Sequence, residues 1–168
     1  MQNANALANG VLGGWHAQAI IVLRSGVPFT PVVSGDIANT GVGSQRPNMN
    51  PAGGNPNFKR SLAEWFDESR YVDPALYTYG SARANTLRSD MYRHDDVSIF
   101  KDFAMPRENV LSFRAEFFNI ANTTSFSAPG ASITNSAATA TVDAPAGARV
   151  TSTSVPSRDI QFALKYNF

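Results

Sequence analysis

Hydrophobic and polar positions alternate along the last twelve residues of the chain, 157–168. Successive side chains of a strand point to opposite faces, so this alternation predicts a β-strand with one apolar face. The stretch is longer than the roughly 5–6 residues usual for strands in soluble sheets. It reaches the roughly 9–11 residues that a strand needs to cross a membrane. The apolar positions are Ile160, Phe162, Leu164, Tyr166 and Phe168.

Three earlier stretches show the same two-residue period and predict strands near 14–25, 96–105 and 110–120. Lys101 interrupts the apolar side of the second stretch, which leaves the register there open and allows a bulge. The third stretch is the most regular. Its apolar side carries Leu111, Phe113 and Phe117, and its polar side carries Arg114 and Glu116. Together the four stretches predict an all-β fold, an antiparallel up-and-down meander of about four long strands.

Two long connections, 34–94 and 121–156, separate these strands and are rich in glycine, proline, asparagine, serine and alanine. Such composition disfavours long regular elements. Within the first connection, Ser61 and Glu64 have the spacing of a helix capping box, which predicts a short helix near 62–68.

The connections differ greatly in length, because only a few residues separate the second and third strands. In an up-and-down arrangement both long connections leave one end of the sheet, and the short turn lies at the other end. Transmembrane β-barrels combine long external loops with short periplasmic turns. The pattern therefore predicts that 14–168 is a barrel segment with external loops, preceded by an irregular lead-in over 1–13.

Composition narrows the possible functions. The 168 residues carry 14 Lys and Arg against 13 Asp and Glu, so there is no basic excess of the kind that binds nucleic acid. The chain has no cysteine, which excludes disulfides and thiolate metal sites. The longest apolar run, Ala19–Leu23, is too short for a helical membrane span. The first residues lack the basic and apolar regions of a signal peptide.

Several motifs in order resemble the carboxy-terminal part of TonB-dependent outer-membrane receptors. The resemblance points to the Oar-like group, whose members carry a carboxypeptidase-regulatory-like domain. The matching stretches are GWHAQAIIVLRSGVPFTP at Gly14–Pro31, RPN at Arg46–Asn48, WFD at Trp65–Asp67, DVSIFKDF at Asp96–Phe103, FRAEFFNIAN at Phe113–Asn122 and PSRDIQFALKYNF at Pro156–Phe168.

The resemblance implies a place in the outer membrane of a Gram-negative bacterium and a role in nutrient uptake. Family members have a signal sequence, a plug domain and a closed barrel of about 22 strands. This chain would supply the last four or so strands and is not expected to transport alone. Its partners would be outer-membrane lipid, the barrel-assembly machinery and the missing strands and plug, with the TonB system reached only through that plug. No cofactor is implied.

The resemblance and the strand faces assign roles to individual residues. The five apolar residues of the last strand correspond to the barrel-assembly signal. The predicted lipid-facing residues are Leu111, Phe113 and Phe117, and the predicted lumen-facing residues are Arg114, Glu116, Gln161 and Lys165. In the first connection Trp65, Phe66, Tyr77 and Tyr79 are possible ligand contacts, or they pack the loops.

Two other functions are alternatives to a barrel segment. A secreted or surface β-sandwich binding module would also explain the aromatic residues of the loops. Catalysis would need acidic or histidine groups in a recognised arrangement. Glu64, Asp67 and Glu68 cluster in sequence, but no spacing defines a cleft or a metal site, so we expect no enzyme.

Overall fold

The computed structural model describes residues 10–133 and 147–168 of the chain. Contacts divide these residues into two compact units. The sheet unit takes the chain up to Arg24, Tyr92–Thr124 and Val155–Phe168, and the loop unit takes Ser25–Met91 and Ser125–Ser154. No helix within the described ranges is long and apolar enough to cross a membrane.

The described strands comprise four long ones and six of two residues each. In chain order they are β1 (His16–Arg24), β2 (Pro28–Phe29), β3 (Val33–Ser34), β4 (Ser44–Gln45), β5 (Asn48–Met49), β6 (Tyr71–Val72), β7 (Leu87–Arg88), β8 (Tyr92–Ala104), β9 (Val110–Phe118) and β10 (Asp159–Asn167). The helical elements of the described residues are short: a turn over residues 10–12 and two 3-10 turns, Glu68–Arg70 and Pro106–Glu108. The prediction of an all-β antiparallel meander is confirmed.

The sheet unit is a single antiparallel sheet with the order β1-β8-β9-β10. The register is continuous across all three pairings, including the predicted irregular point, where Lys101 lies directly opposite Phe113. No bulge forms there. The β-sandwich alternative requires two packed sheets, whereas the long strands of the described ranges form one.

Both ends of β1, β9 and β10 and the end of β8 lie within two residues of the predicted ones, but β8 begins four residues earlier than predicted. The first four residues of β8, Tyr92–Asp95, pair with Ile21–Arg24 of β1. The connection predicted to end at residue 94 therefore ends at Met91. The stretch Tyr92–Asp95 consists mostly of charged and polar residues, so it lacks the alternation of hydrophobic and polar positions that predicts a strand. Residues 10–12 of the predicted irregular lead-in form a helical turn, and 1–9 lie outside the described residues.

The loop unit has its own hydrophobic core, built from both long connections. The buried members are Val33, Trp65, Phe66, Tyr71, Ala82, Ile133 and Ala148. Backbone hydrogen bonds join the segment between β1 and β8 to the segment between β9 and β10. Val32 pairs with Ala131 and Ile133, and Val150 N donates to Leu62 O. Both segments therefore fold against each other, although their composition disfavours long strands or helices.

The predicted helix near 62–68 is wrong. Ser61 Oγ accepts a hydrogen bond from Glu64 N at 3.1 Å, as in a helix cap. The following amide, Trp65 N, donates to Ala148 O at 2.8 Å instead of continuing a helix. Burial of the Trp65 side chain in the core outweighs the local capping signal, and only the turn Glu68–Arg70 is helical.

Candidate functional site

The sheet has an apolar face and a polar face, because directly paired residues of antiparallel strands project on the same side. The apolar face combines Ala17, Ala19, Ile21 and Leu23 of β1, Val97, Ile99 and Phe103 of β8, Leu111, Phe113, Ala115 and Phe117 of β9, and Ile160, Phe162, Leu164 and Tyr166 of β10. The structure thus brings all the predicted lipid-facing residues onto one surface with four of the five residues of the predicted assembly signal, and the fifth, Phe168, follows the last residue of β10.

Large apolar side chains on this face are exposed. Phe162 and Leu164 are 66% and 67% exposed, and Phe168 is fully exposed. Phe162 also packs against Phe113 and Phe117, with ring centroids 6.4 and 6.5 Å apart. A contiguous apolar surface of this kind marks a place where a protein meets a membrane or a partner.

The length of the strands fits a membrane crossing. β1, β9 and β10 have nine residues each. Nine residues at about 3.4 Å each make about 31 Å, or about 22 Å along the membrane normal at a tilt of about 45°. That height is close to the apolar band of about 25 Å on outer-membrane barrels.

Aromatic side chains gather at the end of the sheet that carries the short turn between β8 and β9. Trp15 packs edge-on against Phe103 and Phe113, at 6.5 and 5.9 Å. Tyr166 stacks on Phe168 at 6.1 Å. Aromatic residues of transmembrane barrels form belts at the membrane interfaces.

Lys101 lies on the apolar face and is only 3% exposed. Its ammonium group donates to the carbonyl oxygens of Gly10, Val11 and Gly13 at 2.5 to 3.0 Å. The same group lies 4.9 Å from the ring centroid of Phe103, in cation–π contact. These partners explain how the apolar face accommodates the charge of Lys101, the residue at which the sequence pattern allowed a bulge.

The polar face carries the predicted lumen-facing residues. Arg114 and Glu116 lie on β9 opposite Ala163 and Gln161 of β10, and Lys165 follows further along β10. Arg114 Nη1 is 3.5 Å from Glu116 Oε1, so the two side chains form an ion pair. This face can line a hydrated space.

Asn119 is a structural residue of the sheet unit that sequence reasoning missed. It is 1% exposed and has a φ of 48°, in the left-handed region that asparagine tolerates better than most residues. Its Nδ2 donates to Thr123 O and Pro156 O, and its Oδ1 accepts from Thr123 N. The side chain thereby ties the end of β9 to the segment that leads into β10. The sequence signal is the first asparagine of FRAEFFNIAN, which directly follows the last residue of β9.

The loop unit contains a pocket of about 510 Å³. Trp65, Phe66 and Tyr71 are buried and Leu87 is half-buried along its wall, whereas Arg60, Arg70 and Arg83 are exposed at its edge. The volume lies within the range of small-molecule sites, about 300–1,000 Å³. The pocket is therefore large enough to hold a small ligand.

The aromatic residues predicted as ligand contacts separate into two groups. Trp65 and Phe66 are 7% and 5% exposed and belong to the core of the loop unit, but both also line the pocket. Tyr77 and Tyr79 are 73% and 74% exposed and do not line it. Trp65 and Phe66 therefore pack the loops, which is the alternative role given to them from the sequence.

The clustered carboxylates have structural partners. Asp67 accepts hydrogen bonds from Asn55 N at 2.7 Å and Ser69 N at 3.1 Å. Glu68 accepts from Ala148 N at 2.9 Å. Burial raises the pKa of Glu64, and the neighbouring charges of Asp67 and Glu68 raise it further. In the described part of the chain no three acidic or histidine groups are placed to hold a metal ion.

Comparison with known protein families identifies the family of the chain. The model of the outer membrane beta barrel domain family matches residues 1–161. The chain belongs to this family. No curated protein and no solved structure matches it. As an outer membrane beta barrel domain, the chain lies in the outer membrane and its strands form barrel wall.

Proposed function

We propose that the chain forms part of the barrel wall of a TonB-dependent outer-membrane transporter for nutrient uptake. The observation that carries the proposal is the continuous register of the sheet, which gives one apolar and one polar face. The motif resemblance adds the receptor class. Its longest stretches, Gly14–Pro31, Phe113–Asn122 and Pro156–Phe168, contain all of β1, the last six residues of β9 and all of β10.

In this role the apolar face contacts outer-membrane lipid and the polar face borders the lumen, where the plug of the receptor lies. Arg114 and Glu116 supply paired charges to that wall. A lumen wall can keep such groups hydrated, whereas the lipid face tolerates charge poorly.

The wall must be completed by further strands. Within the described residues, β1 and β10 each pair on one side only. Unpaired backbone groups in lipid are costly, and only closure of a barrel satisfies all of them. We therefore propose that the remaining strands and plug of a receptor are its partners, that the assembly machinery reads Ile160 to Phe168, and that TonB acts through the plug. The chain itself performs no catalysis.

The receptor class is tested on the protein that carries this segment, extracted from outer membranes. Peptide mapping defines the polypeptide, and binding to the periplasmic domain of TonB is measured in detergent. The proposal predicts a plug domain in the same polypeptide and TonB binding that is lost when the TonB-contacting segment is deleted. A complete barrel that has no plug and does not bind TonB would contradict the transporter assignment while leaving the barrel wall intact.

A further inference from the structure

The pocket of the loop unit combines an apolar interior with a cationic edge. Trp65, Phe66 and Tyr71 provide aromatic surface, and each is at most 7% exposed. Arg60 and Arg83 add exposed guanidinium groups beside this surface. The two features are adjacent, so a ligand that fills the pocket meets both.

Positive charge exceeds negative charge at the pocket. Its lining includes three arginines but one carboxylate, that of Asp67. This carboxylate already accepts hydrogen bonds from Asn55 N, Ser69 N and Ser69 Oγ, and it lies 3.5 Å from Arg70 Nε. The Arg70 side chain remains 62% exposed, so its other guanidinium hydrogens can reach a ligand.

The other two arginines also leave their donors available. The guanidinium of Arg60 lies over the Trp65 ring at 4.7 Å, a contact that orients the group without using its hydrogens. Arg83 makes no ion pair with any described residue. A guanidinium group matches carboxylate and phosphate oxygens in a two-point geometry.

Local backbone geometry maintains this arrangement. Asp67 caps the 3-10 turn Glu68–Arg70, which places the base of Arg70. At Gly54, a Cβ atom would lie 2.1 Å from Asp67 Oδ2 and 2.3 Å from Arg70 Cγ, so the backbone passes too close for any side chain. The buried Asp67 and the close approach of Gly54 thus position the Arg70 side chain at the edge of the pocket.

We propose that this pocket binds a small anion that carries an aromatic or similarly flat apolar group, with a carboxylate or phosphate at the arginines. A neutral ring would leave the guanidinium groups unmatched, and a bare inorganic anion would not use the aromatic wall. The proposal deepens the transporter role by naming a substrate class, and in that respect it rests on the proposed function.

The test uses the full chain in maltoside micelles, with phenyl phosphate as the probe. The chain has two tryptophans, so Trp15→Phe leaves Trp65 as the only fluorescent indole, and this indole lines the pocket. Benzyl alcohol and inorganic phosphate serve as probes that keep only the ring or only the anion. We expect a saturable change in Trp65 fluorescence with phenyl phosphate and at least threefold weaker binding of the other two compounds.

Arginine variants locate the anion. Arg83→Gln and Arg70→Gln should each weaken binding of phenyl phosphate by about threefold or more, since charge-assisted contacts at exposed sites have this size. Arg149→Gln is the matched control, because Arg149 is exposed in the same unit and does not line the pocket. The affinity of the Arg149→Gln variant for phenyl phosphate should stay within twofold of that of the parent protein. The near-UV dichroism of the aromatic core reports whether each variant is folded.

Several results would overturn the proposal. They are the absence of a saturable response in folded protein, equal binding of benzyl alcohol, equal binding of inorganic phosphate, and equal effects of the Arg83 and Arg149 substitutions. Failure here leaves TonB binding by the extracted receptor unaffected. Conversely, probe binding by a protein that does not bind TonB would refute the transporter role and keep the site.

Discussion

Replacing Asn119 by alanine should destabilise the sheet by about 3–5 kcal/mol. The side chain makes three hydrogen bonds that alanine cannot replace, to Thr123 O, Pro156 O and Thr123 N. Each contributes about 0.5–1.5 kcal/mol, and the groups left behind have little access to water because Asn119 is 1% exposed. Alanine also adopts the left-handed backbone less readily than asparagine, which adds about 1 kcal/mol.

The two contributions can be separated with a second variant. Asn119→Gly loses the same three hydrogen bonds but tolerates a φ of 48° without strain. It should therefore be less destabilised than Asn119→Ala by roughly 1 kcal/mol, whereas Asn167→Ala, at an exposed position of β10, should change little.

The assay is urea unfolding of the protein in maltoside micelles, followed by far-UV circular dichroism. The midpoint gives the change in the free energy of unfolding when the slope is unchanged. If Asn119→Ala lies within about 1 kcal/mol of the parent at an equal slope, Asn119 does not hold β9 to the start of β10, and our account of this motif is wrong.

Three further predictions concern the membrane face, assembly and pH. Phe162→Arg should lower the stability of the complete barrel in lipid vesicles by about 2–4 kcal/mol, while Gln161→Arg, its neighbour on the opposite face, should cost far less; equal losses in urea titrations would contradict the assigned faces. Deleting Phe168 should reduce the amount of barrel in isolated outer membranes, whereas Asn167→Ala should not; unchanged levels would remove Phe168 from the assembly signal. The raised pKa of Glu64 means that the folded state holds this proton more tightly than the unfolded state. The contribution of Glu64 to the stability of the loop unit is therefore fully present below the ordinary carboxyl pKa of 4.5 and is lost as pH rises through the higher folded value. Glu64→Gln should abolish that loss in melting temperatures measured from about pH 4 to about pH 7, and an identical pH profile in the variant would refute the role of Glu64.

Much of the sheet could be predicted because one face of each strand is apolar. β9 and β10 follow a clear two-residue period, so their predicted limits lie within two residues of those observed. The start of β8 lacked this signal, since Arg93 and Asp95 occupy positions on the apolar side and pair with each other at 2.8 Å. Hydrophobic alternation cannot reveal a strand whose charges neutralise one another.

The loop unit could not be predicted because its contacts are long-range. Trp65 and Glu68 form hydrogen bonds with Ala148, which lies about eighty residues later in the chain. A periodic pattern of hydrophobic residues within one segment cannot predict such distant pairs. The spacing of Ser61 and Glu64 does correspond to a local hydrogen bond. The backbone nevertheless does not continue as a helix, because the Trp65 side chain is buried in the core of the loop unit. The pocket depends on these same contacts, so its arginines had no recognisable spacing in the sequence.

The central claim is that the apolar face of the sheet contacts lipid and the polar face does not. The chain has no cysteine, so a single cysteine can be introduced at Leu164 or at its neighbour Lys165 and labelled with a fluorophore. Fluorescence is then measured in the assembled barrel, in vesicles that contain brominated lipid and with an aqueous quencher. We predict strong quenching by brominated lipid for Leu164→Cys and by the aqueous reagent for Lys165→Cys. Equal quenching at both positions, or the reverse pattern, would contradict the account.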